Sequence, residues 1–324
     1  MKISIAMATY NGEQYVYEQL QSFAEQSILP NEVVISDDKS SDNTLEIINQ
    51  FIEKAPFKIV LIQNEQNLGY TGNFNAALMN TTGDVVFLSD QDDVWYPNKI
   101  EHMLNVMNNY PDNLVYMNDA LLTDSELNSK DLTKCGQIKS AGLGDETFVM
   151  GCCCMIRKEL LNFCLPIPNK LKGHDDWIVT IADGLSKKYI EKTVLQFYRR
   201  HETNESTFIA NRITKVTKKD IWLTAYKNIF SNKQERFDNA DIFMEQKNIF
   251  FQGLLEIKKN IPQKYVKAFD TFLSSKNKDI EILTLRYSLR KSNIIIRVFK
   301  AVYYYYFIYE KKTRFQNMLR DMVS

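Results

Sequence analysis

The sequence predicts an α/β fold, a mainly parallel sheet with helices on both faces, followed by a helical C-terminal extension. Three observations predict it. Over the first 120 residues, short β-rich apolar runs alternate with stretches of helical periodicity, the pattern of a parallel sheet. Each apolar run ends in a polar cluster, and ligands of such sheets bind beyond the carboxyl ends of the strands. Beyond about Ile209 the alternation stops and the chain becomes Lys-rich and helix-like. The expected division is therefore 1–209 and 210–324.

Ile3–Ala8 reads as the first strand. Val16, Leu20 and Phe23 then fall at i, i+4 and i+7, one face of a helix. Glu32–Ser36 is the second strand. Ser40, Ser41 and Asp42 are N-cap candidates for a helix striped by Leu45, Ile48 and Ile52. Ile59–Ile62 is the third strand, Asn73–Met79 a short helix and Val85–Leu88 the fourth strand. Farther on, Leu114–Met117, Phe148–Ile156 and Val194–Tyr198 read as strands and Trp177–Leu185 as a helix. The polar, glycine-containing stretch Lys130–Glu146 reads as a mobile loop.

The strand ends carry the chemistry. Thr9-Tyr10-Asn11-Gly12 follows the first strand, Asp37-Asp38 the second, Asn64 to Gly69 the third and Asp90-Gln91-Asp92-Asp93 the fourth. The last cluster is the most telling. Its three carboxylates oppose each other's ionisation unless something positive sits among them. A hard divalent cation that also binds phosphate oxygens fits that place. An acidic turn capping the helix that begins near Pro97 would show the same residues. Neither G-x-G-x-x-G after the first strand nor G-x-x-x-x-G-K-[ST] occurs, so neither a dinucleotide fold nor a P-loop is indicated.

Composition is that of a globular protein, with 12% aromatic and 25% charged residues. The formal net charge of zero conceals a split. Residues 1–210 hold 17 Lys+Arg against 29 Asp+Glu, whereas 211–324 hold 23 against 11. The basic part is suited to phosphates, an anionic membrane or the acidic part itself; nucleic acid is not an expected partner. The five cysteines, three of them consecutive at 152–154, lack zinc spacing and read as small buried hydrophobes in a reducing cytosol. No signal peptide is visible, and no run reaches the roughly 18 apolar residues of a spanning helix, so a cytoplasmic location is expected.

Taken in order, the motifs resemble glycosyltransferase family 2, the inverting GT-A enzymes. They are Ala8-Thr9-Tyr10-Asn11-Gly12, Asp37-Asp38-Lys39-Ser40-Ser41-Asp42, Asn67-Leu68-Gly69 and Asp90-Gln91-Asp92-Asp93. Asp-Gln-Asp-Asp-x-Trp, His174-Asp175-Asp176-Trp177 and Tyr198-Arg199-Arg200-His201-x-x-Asn204-x-Ser206 are similar to its bacterial rhamnosyltransferase-like branch. The resemblance covers residues 1–206. It implies a GT-A, Rossmann-like nucleotide-diphospho-sugar transferase domain over 1–209 and inverting sugar transfer in bacterial surface polysaccharide synthesis. The implied donor is dTDP-L-rhamnose, with UDP-hexoses next, and the implied acceptor is a glycan, often lipid-linked.

The same resemblance assigns roles. Ala8, Thr9, Tyr10 and Asn11 would line the nucleotide, with the Tyr10 ring suited to stacking. Asp38 would accept from a pyrimidine N–H, and Gly69, Asn73 and Gln91 would share that pocket. Asp90 would touch ribose or a metal-bound water, and Asp92 would ligate Mg²⁺ or Mn²⁺. His201 would complete the metal shell or hold the pyrophosphate with Arg199 and Arg200. Asp93 is a third acid or a cap of the following helix. Asp175 is the expected general base and Asp176 its alternative, one of the two being a helix cap instead. Trp95, Gly151, His174 and Trp177 would meet sugar or acceptor; core tryptophans and a packing glycine would look the same. Two departures stand out: Lys39 replaces the family's usual glycine, and Gly72-Asn73 lies where many relatives carry a basic residue.

Two other classes fit less well. A nucleotidyltransferase would show a glycine-rich phosphate loop with a basic residue after its first strand. A non-catalytic nucleotide-sugar or glycan-binding subunit would need no base such as Asp175. In the basic region, Ile294–Tyr309 is too short and too charged to span a bilayer. It reads as an interfacial helix at the inner face of the cell membrane, or as one packed on the first domain or on a second subunit of a homodimer. The charge balance favours the membrane.

Overall fold

The structure, a computed structural model, describes residues 1–201, 209–229, 233–291 and 294–308. They form two compact units, Met1–Lys218 and Lys219–Ser324. The first unit opens β1 (Ile3–Thr9), α1 (Val16–Ala24), β2 (Glu32–Asp37), α2 (Thr44–Ile52), β3 (Lys58–Gln63), α3 (Gly69–Met79), β4 (Val85–Ser89). It continues β5 (Val94–Trp95), α4 (Lys99–Asn109), β6 (Val115–Thr123), β7 (Ser129–Thr133), α5 (Lys134–Ala141), β8 (Cys154–Arg157), α6 (Lys158–Cys164), α7 (His174–Gly184) and β9 (Lys188–Arg199).

Strands β3, β2, β1 and β4 pair in parallel in that order. β1, β2 and β4 are buried almost throughout, as a parallel sheet covered on both faces requires, while β3 at the edge is half-exposed. Beyond β4 the sheet is mixed. β8 lies antiparallel between β4 and β6, β9 runs parallel to β6, and β5 closes the other edge antiparallel to β9. Val16, Leu20 and Phe23 of α1 are fully buried. Phe23 meets Trp95 edge-on at 4.7 Å, and Trp95 in turn packs on Phe87 at 5.7 Å.

Several boundaries differ from expectation for local reasons. The buried face of α2 is Thr44, Ile48 and Phe51 rather than Leu45, Ile48 and Ile52, because Phe51 packs on Tyr17 and Phe57. Of the three expected cap candidates of α2, Asp42 is the one whose Oδ1 accepts from Thr44 N–H, at 3.0 Å. α3 starts four residues early, its first N–H bonded to Asn67 Oδ1. Phe148–Ile156 is not one strand. Gly151–Cys153 forms a turn of 3₁₀-helix and only Cys154–Arg157 joins the ladder. Lys130–Glu146 is not a loop either. It holds most of β7 and all of α5, capped by Thr133 Oγ1 and closed by Gly142 at φ 73°.

The second unit is helical, with α8 (Lys218–Ile229) leading into α9 (Lys233–Ile257), α10 (Val266–Lys291) and α11 (Ile294–Phe307). Phe250, Leu254, Phe269 and Phe272 are among its buried residues. No helix among the described residues is long and apolar enough to cross a membrane. Tyr309 and the basic residues after it lie outside the described residues.

Phe23 locks α1 onto the sheet with no exposed surface. Phe23→Ala is expected to cost about 3–5 kcal/mol, the range for deleting a buried aromatic ring. Urea unfolding followed by tryptophan fluorescence reads it as a lower midpoint.

Candidate active site

The parallel register places the carboxyl ends of β1–β4 on one edge: Thr9 lies opposite Asp37, Asp37 opposite Gln63, and Met7 opposite Ser89. Buried Asp37 is structural, accepting from Thr9 Oγ1 and from both the N–H and hydroxyl of Ser40. Lys39 closes this turn at φ 67°, the left-handed region that favours glycine, so replacing the glycine leaves a glycine-like backbone. Asp38 is buried, and its Oδ1 accepts from Leu68 N–H at 2.7 Å and from Asn64. Its Oδ2 takes no hydrogen bond among the described residues. Tyr10, 49% exposed, stands on the same edge. Ala8 is half-buried, Asn11 accepts from Ser41, and Gly69 opens α3 at φ 71° with free space where a Cβ would be. Asn73 is not open to a ligand. It is buried, donates to Thr9 O at 3.0 Å and accepts from Asn64.

The loop after β4 divides its residues among different tasks. Gln91 clamps it to the first loop, exchanging two hydrogen bonds with the Tyr10 backbone at 2.9 and 3.0 Å. Gly12 leaves room for that amide, since a Cβ there would fall 2.3 Å from Gln91 Oε1. Asp92 Oδ2 lies 2.7 Å from His201 Nε2. Asp93 does not cap the next helix; it is buried and accepts from Gln196 Nε2 at 2.8 Å and Arg199 N–H at 3.2 Å. Burial and the neighbouring Asp92 charge push its carboxyl up to about 7.

Arg199, expected at the pyrophosphate, is buried and braces the loop instead. Its guanidinium donates to Asp92 O, Ser125 O and Glu18, and lies 4.5 Å over the Tyr15 ring. Arg200 donates to the Tyr198 hydroxyl at 3.3 Å. Asn204 and Ser206 lie outside the described residues. Tyr15, whose ring also meets His201 at 5.0 Å, and buried Lys99, bonded to Cys152 O and Gln196, belong to this site. Neither carries a motif signal in the sequence, because each acts only through tertiary contacts.

The two acids at the head of α7 are not equivalent. Asp175 Oδ2 accepts from Gly151 N–H at 3.1 Å, and its Oδ1 from Asp176 N–H. Asp176 turns back along its helix and accepts from Thr180 Oγ1 at 3.1 Å. Both carboxylates lie in the first turn, where they complement the helix dipole. His174 is a buried wall rather than an acceptor contact. It stacks on Phe74 at 3.8 Å, a Cβ on Gly151 would fall 2.7 Å from its Nε2, and burial pushes its imidazole towards neutral. Trp95 and Trp177 likewise offer no face to a sugar. Trp95 is enclosed by Phe23, Phe87 and Lys99, and Trp177 is fully buried with Nε1 donating to Cys164 O.

Burial, then the charges of Asp93, Asp92 and Asp175, push Asp90 well above the ordinary carboxylate range. The head of α7, which carries Asp175, thus lies within electrostatic reach of the loop after β4. An excess of carboxylates around Asp90, with an imidazole against Asp92, is the donor chemistry of a hard divalent cation. The residues therefore fit Mg²⁺ or Mn²⁺. Asp93 and Cys152, which lie within 4.8 Å of Asp90, contribute less. The Asp93 oxygens are already engaged by β9, and burial keeps the Cys152 thiol protonated.

Glycosyl transferase family 2 matches the chain over residues 4–164. A dTDP-rhamnosyl transferase (RfbG) of Shigella flexneri is 32% identical over 216 residues, covering 61% of this chain and 73% of that one. An uncharacterized glycosyltransferase of Nostoc sp. is 41% identical over 106 residues, so that match spans only 33% of either chain. Among solved structures, residues 1–349 of S. aureus TarS in complex with UDP share the fold, with a TM-score of 0.55 at 16% identity, over 87% of this chain and 90% of that one. The chain belongs to glycosyl transferase family 2, and its first unit has the GT-A fold.

Arg199→Lys keeps the charge and removes the planar fork that reaches three partners at once. Stability measured without nucleotide is expected to fall by about 1.5–3 kcal/mol, the worth of hydrogen bonds to a charged group. A residue serving only the pyrophosphate would leave that measurement unchanged.

Proposed function

We propose that this family 2 glycosyltransferase moves a sugar, L-rhamnose from dTDP-rhamnose in the favoured case, onto a glycan acceptor of bacterial surface polysaccharide synthesis. Residues 1–209 would carry the transfer. The observation that carries the reading is Asp175. It comes from the far end of the domain sequence, is fixed by two backbone N–H groups, and acts electrostatically on Asp90.

Each Asp175 oxygen holds one N–H and keeps a lone pair for a further proton. The acceptor hydroxyl gives its proton to Asp175 as its oxygen bonds to the anomeric carbon. The bond from that carbon to the diphosphate breaks, so the nucleoside diphosphate leaves from the opposite face and the configuration inverts. Asp38 Oδ2 is the acceptor for a pyrimidine N–H, and Tyr10 is the ring for the base. Asp92 and His201 would hold a divalent ion, with Asp90 beside them, and that ion would neutralise the charge developing on the departing diphosphate. Asp176, bonded within its own helix, is the weaker base candidate. The S. flexneri relative's name supports dTDP-rhamnose; a UDP-hexose is the alternative, consistent with UDP bound to the TarS structure.

A binding and transfer panel of dTDP-rhamnose, UDP-glucose and UDP-N-acetylglucosamine with Mn²⁺ tests this on wild type, Asp92→Ala and Asp175→Asn. Asp92→Ala is expected to lose metal-dependent donor binding. Asp175→Asn should bind donor normally while transfer falls by about 10²–10⁴-fold, the usual contribution of a positioned base. Transfer unimpaired in both variants would refute the mechanism, and preference for a UDP-sugar would correct the donor.

A further inference from the structure

Lys99, the first residue of α4, has no exposed surface, and its ammonium meets three separate pieces of the site. It donates to Cys152 O at 2.9 Å and to Gln196 Oε1, and it lies 3.9 Å over the Trp95 ring. Cys152 belongs to the turn Gly151–Cys153, whose Gly151 N–H is accepted by Asp175 Oδ2. Gln196 belongs to β9, and its Nε2 donates to Asp93 in the loop after β4. One side chain thus ties the turn that holds Asp175 to the loop that carries Asp90 and Asp92.

An ammonium without solvent is costly, and an apolar side chain of similar length would occupy the same volume without that cost. It would hold neither the Cys152 carbonyl nor the Gln196 amide. What Lys99 adds is therefore direction rather than filling. Direction matters most between a base and the bond that breaks, because a misplacement of about 1 Å can cost about 10²-fold in rate.

We propose that Lys99 is a positioning residue of the transfer, setting the spacing between the Asp175 carboxylate and the acids after β4. The inference rests on the reading of Asp175 as the base and of Asp92 with His201 as the metal site.

Donor turnover by the full chain tests it on Lys99→Met, Asp175→Asn and the double variant. It is read as nucleoside diphosphate released, with Mn²⁺, from whichever of the three panel donors wild type uses. Lys99→Met is expected to lower kcat about 10²-fold while KM for the donor stays within about threefold, since Asp38, Tyr10 and Asp92 are untouched. In the Asp175→Asn background the same substitution should cost less than about threefold, because residues that act as a unit are not additive. A residue that only supports the fold would raise KM as well, or multiply its loss in both backgrounds. Either result overturns the proposal, as does an unchanged kcat. Gln196→Met cuts the same link at its next bond and is expected to show the same split, so it decides the matter where Lys99→Met does not fold. Unimpaired turnover in Asp175→Asn refutes the base reading and this inference together. Loss there with wild-type turnover in Lys99→Met refutes this inference alone.

Discussion

The buried carboxylate of Asp93 joins the two sequence-distant parts of the active site. It is reached from β9 by the side chain of Gln196 and the backbone of Arg199, so the loop after β4 and the end of β9 hold one relative position. Lys99 donates to the same Gln196 from beneath. An ionisable group without solvent is costly, and such an arrangement persists only where hydrogen bonds satisfy it. The result is positional. With Arg199 fixed, His201 two residues later meets Asp92, and the imidazole–carboxylate pair faces the strand-end loops.

Residues that look alike in the sequence are separated by what surrounds them. Asp90, Asp92 and Asp93 read as one acidic cluster, yet Asp93 bonds β9, Asp92 faces His201 and Asp90 sits where the other charges converge. Asp175 and Asp176 divide in the same way. One accepts from Gly151 and the other from Thr180 within its own helix. Sequence spacing identifies the cluster; which carboxylate is free to take a proton or a cation depends on hydrogen bonds made by residues far along the chain.

The parallel half of the fold and its polar strand ends were readable because β1, β2 and β4 are uninterrupted apolar runs and α1 carries a clean helical stripe. The mixed half was less readable. α5 has eight residues with a glycine among them, too few for periodicity, although Thr133 and Gly142 marked its two ends. The family resemblance implies ligand contacts for Asn73 and Arg199, and for Trp95 and Trp177 leaves a sugar wall or a core tryptophan equally open. Their burial, which sequence does not reveal, makes them the wall and brace of the site. Tyr15 and Lys99 carry no sequence signal because key neighbours, Arg199 and Gln196, are supplied by β9.

The antiparallel strand β8 explains how Asp175 is held near the strand-end loops of a sheet that begins as parallel. Because β8 runs opposite to β4, its first residue lies near the end of β4 where the acidic loop begins. The turn that feeds it, Gly151–Cys153, therefore falls at the active edge, with Cys152 close to Asp90 and Asp93. There the Gly151 N–H, directed away from the strand ladder, is available to Asp175, and the missing side chain leaves space for His174. A fully parallel strand in that position would begin at the opposite edge and offer no such donor. The reversal of one strand is thus the topological reason that the Asp175 carboxylate is held beside strand-end loops built almost wholly from the first hundred residues.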